Sequence, residues 1–198
     1  MFALAVNASP RANSNTGILI DHVLQPLKDA GWETETIRIG AKPMSGCIAC
    51  MQCVKRQDNR CAVTKDHLND IYARMVEADA IILGTPTYYT DVTAELKGLI
   101  DRAGFVAQAN GRKLAGKIGA GVVAVRRGGA THAFDTINHL FQISGMLIPG
   151  SLYWNMGYGL DGGEVRNDTE GLANMTDLGK MIAWLGACIK PNMDSMPR

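Results

Sequence analysis

Predicted strands and helices alternate along the whole chain, and this alternation limits the possible folds more than any other feature. The predicted strands are Phe2–Asn7, Thr34–Ile39, Asp79–Thr85, Gly119–Val125 and Met146–Tyr153, and the predicted helices are Thr16–Ala30, Asp70–Ala78, Val92–Ala103, Thr131–Ser144 and Asp168–Cys188. Such alternation predicts an α/β fold, a parallel sheet with helices on both faces. Five strands fit the doubly wound order 2-1-3-4-5, in which a ligand binds beyond the carboxyl ends of the strands. Pro26 lies inside the first predicted helix, where it is expected to kink the helix or end it early.

Length, charge and the absence of targeting patterns narrow the class of protein. The chain has 198 residues, 46% of them hydrophobic, which fits one domain. We expect this domain over residues 1–190, with a cysteine-rich insertion at about 43–65 and a loose tail at 191–198. The net charge is +1 and no basic stripe occurs, so no nucleic-acid partner is expected. No signal peptide or membrane span is recognisable, so the predicted location is cytoplasmic, with no membrane partner and with disulfides disfavoured.

The loop after the first predicted strand is rich in hydrogen-bond donors. Ser9, Arg11, Ser14, Asn15 and Thr16 lie there, and a predicted helix opens from the loop. Free N–H groups and the positive end of the helix dipole favour an anion such as a phosphate monoester. The patterns G-x-x-x-x-G-K-[ST] and G-x-G-x-x-G are absent, which argues against a dinucleotide bound in the usual way. A polar turn with an ordinary N-cap is the alternative explanation.

Two further loops at the same predicted sheet edge carry candidate ligand residues. These residues are Pro86, Thr87, Tyr88 and Tyr89 after the third strand, and Arg126, Gly128 and Gly129 after the fourth. Tyrosine rings offer a surface for a planar heterocycle, and glycines let backbone N–H groups approach a ligand closely. Either loop alone also fits a plain connection. Three such loops at one sheet edge together indicate a binding site.

These loops resemble those of the NADPH-dependent FMN reductase superfamily. Asn7–Arg11 with Ser14–Thr16 is similar to its G-S-P-R…G-N-T phosphate loop, although Ala8 and Ser14 stand where the family has glycine. Thr85–Tyr88 is similar to its S-P-V-Y loop, and Leu96–Arg102 to the L-K…D-R helix that follows. The resemblance implies a single flavodoxin-like domain, FMN bound by the three loops, and a homodimer or homotetramer.

Four cysteines form the pattern C-x2-C-x2-C-x7-C directly after the second predicted strand: Cys47, Cys50, Cys53 and Cys61. A tight C-x2-C-x2-C run is typical of ferredoxin-like clusters, whereas structural zinc sites more often use separated pairs or include histidine. The motif resembles that of the iron–sulfur flavoprotein branch, and this resemblance implies that the four cysteines bind a [4Fe-4S] cluster. Zinc, a redox disulfide and free thiols are the alternatives. Cys188, at an apolar position of the last predicted helix, is expected to be buried.

The resemblance implies a flavin-dependent oxidoreductase that passes electrons between a [4Fe-4S] cluster and FMN. Cofactors carry the redox chemistry in such a protein, so no catalytic side chain is expected. A ferredoxin-like protein, NAD(P)H or a quinone is the expected donor or acceptor. One alternative is a cluster-free NAD(P)H-dependent FMN or quinone reductase. A second is a non-enzymatic module that binds zinc or senses redox state through its thiols.

Overall fold

A parallel sheet of five strands forms the centre of the molecule in the computed structural model, which describes residues 1–196. The strands are β1 (Phe2–Asn7), β2 (Glu33–Arg38), β3 (Ala80–Pro86), β4 (Ile118–Val125) and β5 (Met156–Tyr158). Their order is β2-β1-β3-β4-β5, which confirms the predicted topology. Asn7 pairs with Arg38 of β2 and with Gly84 of β3, so the carboxyl ends of these strands lie close together at one edge.

Helices cover both faces of the sheet, as predicted. They are α1 (Asn15–Asp29), α2 (Gln52–Arg56), α3 (Leu68–Glu77), α4 (Ala94–Ala109), α5 (Ala130–Ile143) and α6 (Thr169–Ile189), with 3-10 helices at Glu164–Asn167 and Lys190–Ser195. Successive side chains of a strand point to opposite faces. Ala3 and Ala5 of β1 therefore pack in the core layer of α1 and α6, whereas Leu4 and Val6 pack in the layer of α3, α4 and α5. No helix of the described chain is long and apolar enough to cross a membrane.

The fifth strand does not lie where the sequence predicted it. The predicted strand Met146–Tyr153 is wrong. Within this segment only Leu147 pairs with the sheet, through an isolated bridge to Ile118. Pro149 has no N–H to donate, which is unfavourable inside a sheet. Leu152 is 70% exposed, so the apolar residues after Pro149 are not strand residues facing a core. The chain leaves the sheet there and returns as β5.

The structure also differs from the sequence predictions for Pro26, Cys188 and the tail. Helix α1 continues past Pro26 to Asp29, so an early end at the proline is wrong. Cys188 is exposed rather than buried, because α6 packs on the core through Leu178, Ile182 and Gly186, and Cys188 lies off this stripe. Part of the tail predicted to be loose forms the 3-10 helix Lys190–Ser195, and residues 197–198 lie outside the described chain.

A buried tyrosine in α3 provides a test of this core. Tyr72 is 1% exposed, its hydroxyl has no hydrogen-bond partner, and burial raises its pKa to about 12. Tyr72→Phe is expected to stabilise the fold by about 1 kcal/mol, because an unpaired hydroxyl is no longer buried. The unfolded phenol loses its proton near pH 10 and the folded phenol near pH 12, so stability of the natural chain falls across that interval and this fall disappears in the variant.

Urea unfolding at pH 7 and at pH 11 measures both effects of the Tyr72 substitution. Tyr153→Phe, at a tyrosine that is 59% exposed, is the matched control and should change neither value. A destabilised Tyr72→Phe variant would contradict the assignment of an unpaired hydroxyl.

Candidate functional site

The predicted ligand loops meet in one cavity at the carboxyl edge of the sheet. The cavity is lined by Ser9, Arg11, Asn15, Thr16, Pro86, Thr87, Tyr88, Ala124, Arg126, Gly159 and Leu160. Residues from the loops after β1, β3 and β4 thus come together, although they lie far apart in sequence. Gly159 and Leu160 were missed, because the fifth strand was predicted too early and its following loop was misplaced. Ser14, Tyr89, Gly128 and Gly129 were predicted site residues that do not line this cavity.

The loop after β1 is organised around the start of α1. Ser14 is the N-cap, and its hydroxyl oxygen accepts a hydrogen bond of 2.9 Å from the N–H of Gly17. The side-chain oxygen of Asn7 accepts a bond of 2.9 Å from the N–H of Ser9. The Thr16 hydroxyl, by contrast, is buried and has no hydrogen-bond partner. An unpaired buried hydroxyl costs about 1–3 kcal/mol, and a phosphate oxygen bound at this helix N-terminus would satisfy it.

Arg38, the last residue of β2, supports this loop and was missed by the sequence analysis. Its Nε donates to the carbonyl oxygen of Ser9 at 3.2 Å, and its Nη2 donates to the carbonyl oxygen of Pro10. Strand β2 is polar except for Ile37, so nothing in the sequence distinguishes Arg38 from an ordinary solvated side chain. The role of Arg38 is visible only in the tertiary structure, because β2 must pair with β1 to bring the guanidinium to the loop.

Substitution of Arg38 tests whether the loop depends on this support. Arg38→Gln is expected to weaken FMN binding about 10-fold, equivalent to about 1.4 kcal/mol, because two backbone contacts and a positive charge are removed. Titration of apoprotein with FMN, followed by quenching of flavin fluorescence, measures the affinity. Arg74→Gln is the control, because Arg74 pairs with Glu35 of the same strand but makes no contact with the loop. Equal affinities of Arg38→Gln and the natural chain would contradict the prediction.

The loop after β3 contains a tight two-residue turn. Tyr88 and Asp91 exchange two backbone hydrogen bonds of 2.9 and 3.0 Å, and the intervening Tyr89 and Thr90 both have positive φ. This is the geometry of a two-residue hairpin turn. Tyr88 is about half exposed and borders the cavity, whereas Tyr89 is fully exposed. Of the two predicted tyrosines, Tyr88 is therefore the one that lines the cavity.

Gly129 joins this turn to the loop after β4. Its φ is +89°, and a Cβ at this position would lie 2.7 Å from Cα of Thr90. The glycine is thus required for the close approach of two protein loops, whereas sequence reasoning assigned it to close approach of a ligand. Gly128 has open space at the Cβ position. Arg126 is the residue of this predicted group that borders the cavity.

The four cysteines of the motif border a second cavity, next to α4. Its lining also includes Ile48, Met51, Ala62, Val63, Arg102, Phe105 and Val106. Cys53 is buried, Cys61 is half-buried, and Cys47 and Cys50 are exposed. Burial raises the pKa of the Cys53 thiol, and the neighbouring Cys61 and Cys50 act in the same direction. Within residues 1–196, no three His, Cys, Asp or Glu side chains lie close enough together to hold one metal ion.

The backbone between the cysteines is unusual. Ala49 and Met51 have φ of 51° and 56°, in the left-handed region that non-glycine residues rarely adopt. Each such residue costs about 1–2 kcal/mol, and costs of this kind are typical of ligand-binding loops. The donor set is also suitable, because four thiols that border one cavity match the ligand preference of iron–sulfur clusters. The residues present therefore fit a cluster in the chemistry of their donors.

A buried ion pair connects this insertion to α4. The side chains of Arg102 and Asp66 are 0% and 2% exposed, and Nη1 of the arginine lies 2.5 Å from Oδ2 of the aspartate. Burial alone would raise the pKa of Asp66, but hydrogen bonds from Arg102 and from the N–H groups of Ser45 and Leu68 lower it below its ordinary value. The sequence analysis treated Arg102 as part of a family helix motif and did not assign it to the cysteine site.

Comparison with known proteins agrees with this geometry. The model of the NADPH-dependent FMN reductase family matches residues 1–161. An iron–sulfur flavoprotein of Methanocaldococcus jannaschii is 34% identical over 198 residues, covering 96% of this chain and 100% of that protein. The structure of RosB with bound 8-demethyl-8-formylriboflavin-5'-phosphate matches with a TM-score of 0.75 at 17% identity. The match covers 97% of this chain and 81% of the RosB chain. A flavodoxin from the domain Archaea has a TM-score of 0.61 at 18% identity, with 94% and 99% covered.

The sheet order defines a flavodoxin-like α/β protein, and a cavity lies between the loops at the carboxyl edge of its sheet. The chain belongs to the NADPH-dependent FMN reductase family, and several of its relatives are named iron–sulfur flavoproteins. Both findings confirm the resemblance seen in the sequence. The protein is thus an FMN-binding flavoprotein within a family of flavin oxidoreductases.

Proposed function

We propose that this flavoprotein transfers electrons between FMN, bound in the cavity at the sheet edge, and a [4Fe-4S] cluster bound by Cys47, Cys50, Cys53 and Cys61. The observation that carries the proposal is that all four thiols of the motif border one cavity. The Methanocaldococcus relative, which matches this chain over its full length, is named an iron–sulfur flavoprotein, and this name supports the same assignment.

The protein contributes binding and orientation. The Thr16 hydroxyl and the N-terminus of α1 would bind the FMN phosphate, and Tyr88 would border the ring system. Phe105 and Val106 would form part of the apolar wall beside the thiols. Flavin exchanges one or two electrons and a cluster exchanges one, so the pair links hydride chemistry to single-electron transfer. No side chain is required as a proton donor in this scheme.

Partners follow from the same chemistry. A ferredoxin-like protein, NAD(P)H or a quinone is the proposed donor or acceptor, and the proposed assembly is a homodimer or homotetramer in the cytoplasm.

The family match favours a second candidate function, a cluster-free NAD(P)H-dependent FMN or quinone reductase. Bleaching of bound flavin by NADPH or NADH, measured anaerobically, distinguishes the electron donors.

Iron analysis after anaerobic purification tests the proposed cluster. Cys50→Ser is expected to lose most of its iron and sulfide but keep FMN, because a cluster ligand is removed from the cysteine cavity and the flavin cavity is untouched. Cys188→Ser is the matched control, since both cysteines are exposed and Cys188 lies outside the motif. The readouts are iron, acid-labile sulfide and FMN per chain, with the visible spectrum.

The outcomes of the iron analysis separate the candidate functions. Full iron in Cys50→Ser, or a natural chain with FMN and no iron, contradicts the proposed cluster and leaves the cluster-free reductase. Zinc in place of iron, or a colourless protein that takes up no FMN, would instead favour the zinc-bound or thiol-sensing module.

A further inference from the structure

Arg102 belongs to α4, yet its hydrogen-bond partners belong to the cysteine insertion. Nε donates to Sγ of Cys61 at 3.4 Å, and Nη2 donates to the carbonyl oxygen of Val63 at 2.8 Å. Nη1 donates to the carbonyl oxygen of Ser45 at 3.1 Å and to Oδ2 of Asp66 at 2.5 Å. A single buried guanidinium therefore holds both ends of the segment that carries the cysteines.

The cost of this arrangement calls for an explanation. Removing a guanidinium and a carboxylate from water costs several kcal/mol per ion, and apolar residues of similar volume often stabilise a core equally well. Helix α4 already packs closely on the insertion without the ion pair, because a Cβ at Gly98 would lie 3.0 Å from the carbonyl oxygen of Ser45. Anchoring alone therefore does not require a buried charge.

We propose that Arg102 is a positioning residue for Cys61, and that the opposed charges of Arg102 and Asp66 set the reduction potential of the cluster; this inference rests on the cluster assigned under the proposed function. Hydrogen bonds to ligand sulfurs and nearby charges are among the protein features that determine cluster potentials. Reduction by dithionite, the reductant of the potentiometric titration, adds one electron and so adds one negative charge to the site. The positive charge and N–H group of Arg102 favour the reduced state, and the carboxylate of Asp66 opposes it.

The two partners therefore have effects of opposite sign, which a merely structural role would not produce. In Arg102→Gln the midpoint potential is expected to become more negative, with at least a tenfold lower ratio of reduced to oxidised cluster at a given potential, equivalent to about 59 mV. In Asp66→Asn the potential is expected to become more positive. Arg102→Lys keeps the charge but loses the guanidinium fork, so a smaller negative shift is expected.

Potentiometric titration of anaerobically purified protein, followed by electron paramagnetic resonance of the reduced cluster, measures these shifts. Lys97→Gln is the control, because Lys97 forms an exposed ion pair with Asp101 on the same helix. Its potential should equal that of the natural chain. If Arg102→Gln does not fold, Arg102→Lys and Asp66→Asn still test the two opposite shifts of the midpoint potential.

Shifts of the same sign at both positions, or no shift at either, overturn the proposal. A natural chain without iron overturns the proposed cluster, and this inference with it. A natural chain with a full cluster and unshifted variants overturns this inference alone, so the two failures are distinguishable by the iron content.

Discussion

Replacing Gly40 by alanine is expected to lower FMN affinity at least about 100-fold, equivalent to about 2.7 kcal/mol. Gly40 follows β2 and lies against the loop after β1. An added Cβ would overlap the carbonyl group of Ser9 and would lie 2.5 Å from the nitrogen of Pro10. These are backbone atoms, so no side chain can rotate away to make room. The loop must move instead, and the Thr16 hydroxyl and the N-terminus of α1 lose their alignment with the flavin phosphate.

FMN titration of apoprotein measures this loss. Gly150→Ala is the matched control, because nothing lies within 4 Å of a Cβ at that position and its φ is not positive. Urea unfolding of the same samples separates lost binding from lost folding. Unchanged affinity in Gly40→Ala would show that the loop tolerates displacement, and would contradict the assignment of this loop as the phosphate site.

The second large effect is expected at the buried ion pair. Asp66→Ala should destabilise the fold by about 3–5 kcal/mol, because the Arg102 guanidinium then remains buried without its counter-charge. Arg102→Met should cost a similar amount for the reciprocal reason. The double variant should cost much less than the sum of the two, because neither charge is then left unpaired.

Urea unfolding of reduced apoprotein provides the double-mutant cycle. Asp101→Ala is the control: its partner Lys97 is exposed, and such pairs contribute about 0–1 kcal/mol. Additive losses in the cycle would show that Arg102 and Asp66 act independently, against the geometry described. The lowered pKa of Asp66 adds a pH signature. The stabilisation should be complete above about pH 5, and should be lost progressively as the pH falls past the unfolded pKa near 3.8 and through the lower folded pKa.

Much of the binding cavity could be predicted because strand ends are readable from sequence. Apolar runs such as Phe2–Asn7 end at polar loops, and parallel strands bring those loops to one edge. The motif cysteines could be grouped for a similar reason, since Cys47, Cys50 and Cys53 are close in the chain. The structural role of each loop residue was harder to predict. Ser14 caps α1 and Gly129 packs on Thr90, and neither structural role could be read from the sequence; the predicted contact of both residues with the cofactor stays a prediction.

The error at the fifth strand has a definite cause. The segment Met146–Tyr153 is apolar enough for a buried strand, but Leu152 and Tyr153 are exposed. A run of apolar residues indicates burial only when the sheet has a place for it. Because Leu147 bridges Ile118 and the chain then departs at Pro149, the strand position beside β4 is taken by Met156–Tyr158.

The sequence by itself determined the sheet order, three of the loops that border the sheet-edge cavity and the four cysteines of one motif, because these depend on local periodicity and short spacing. Only the tertiary structure decided which distant side chains complete the two sites. Arg38 reaches the loop at Ser9 across 29 positions of sequence, and Arg102 reaches Cys61 across 41. Such contacts depend on strand pairing and helix packing, and a charged residue on a strand or helix carries no local sign of them. Arg102 and Asp66 are likewise buried only after the chain has folded, and this burial is the reason that their substitution is expected to have large effects.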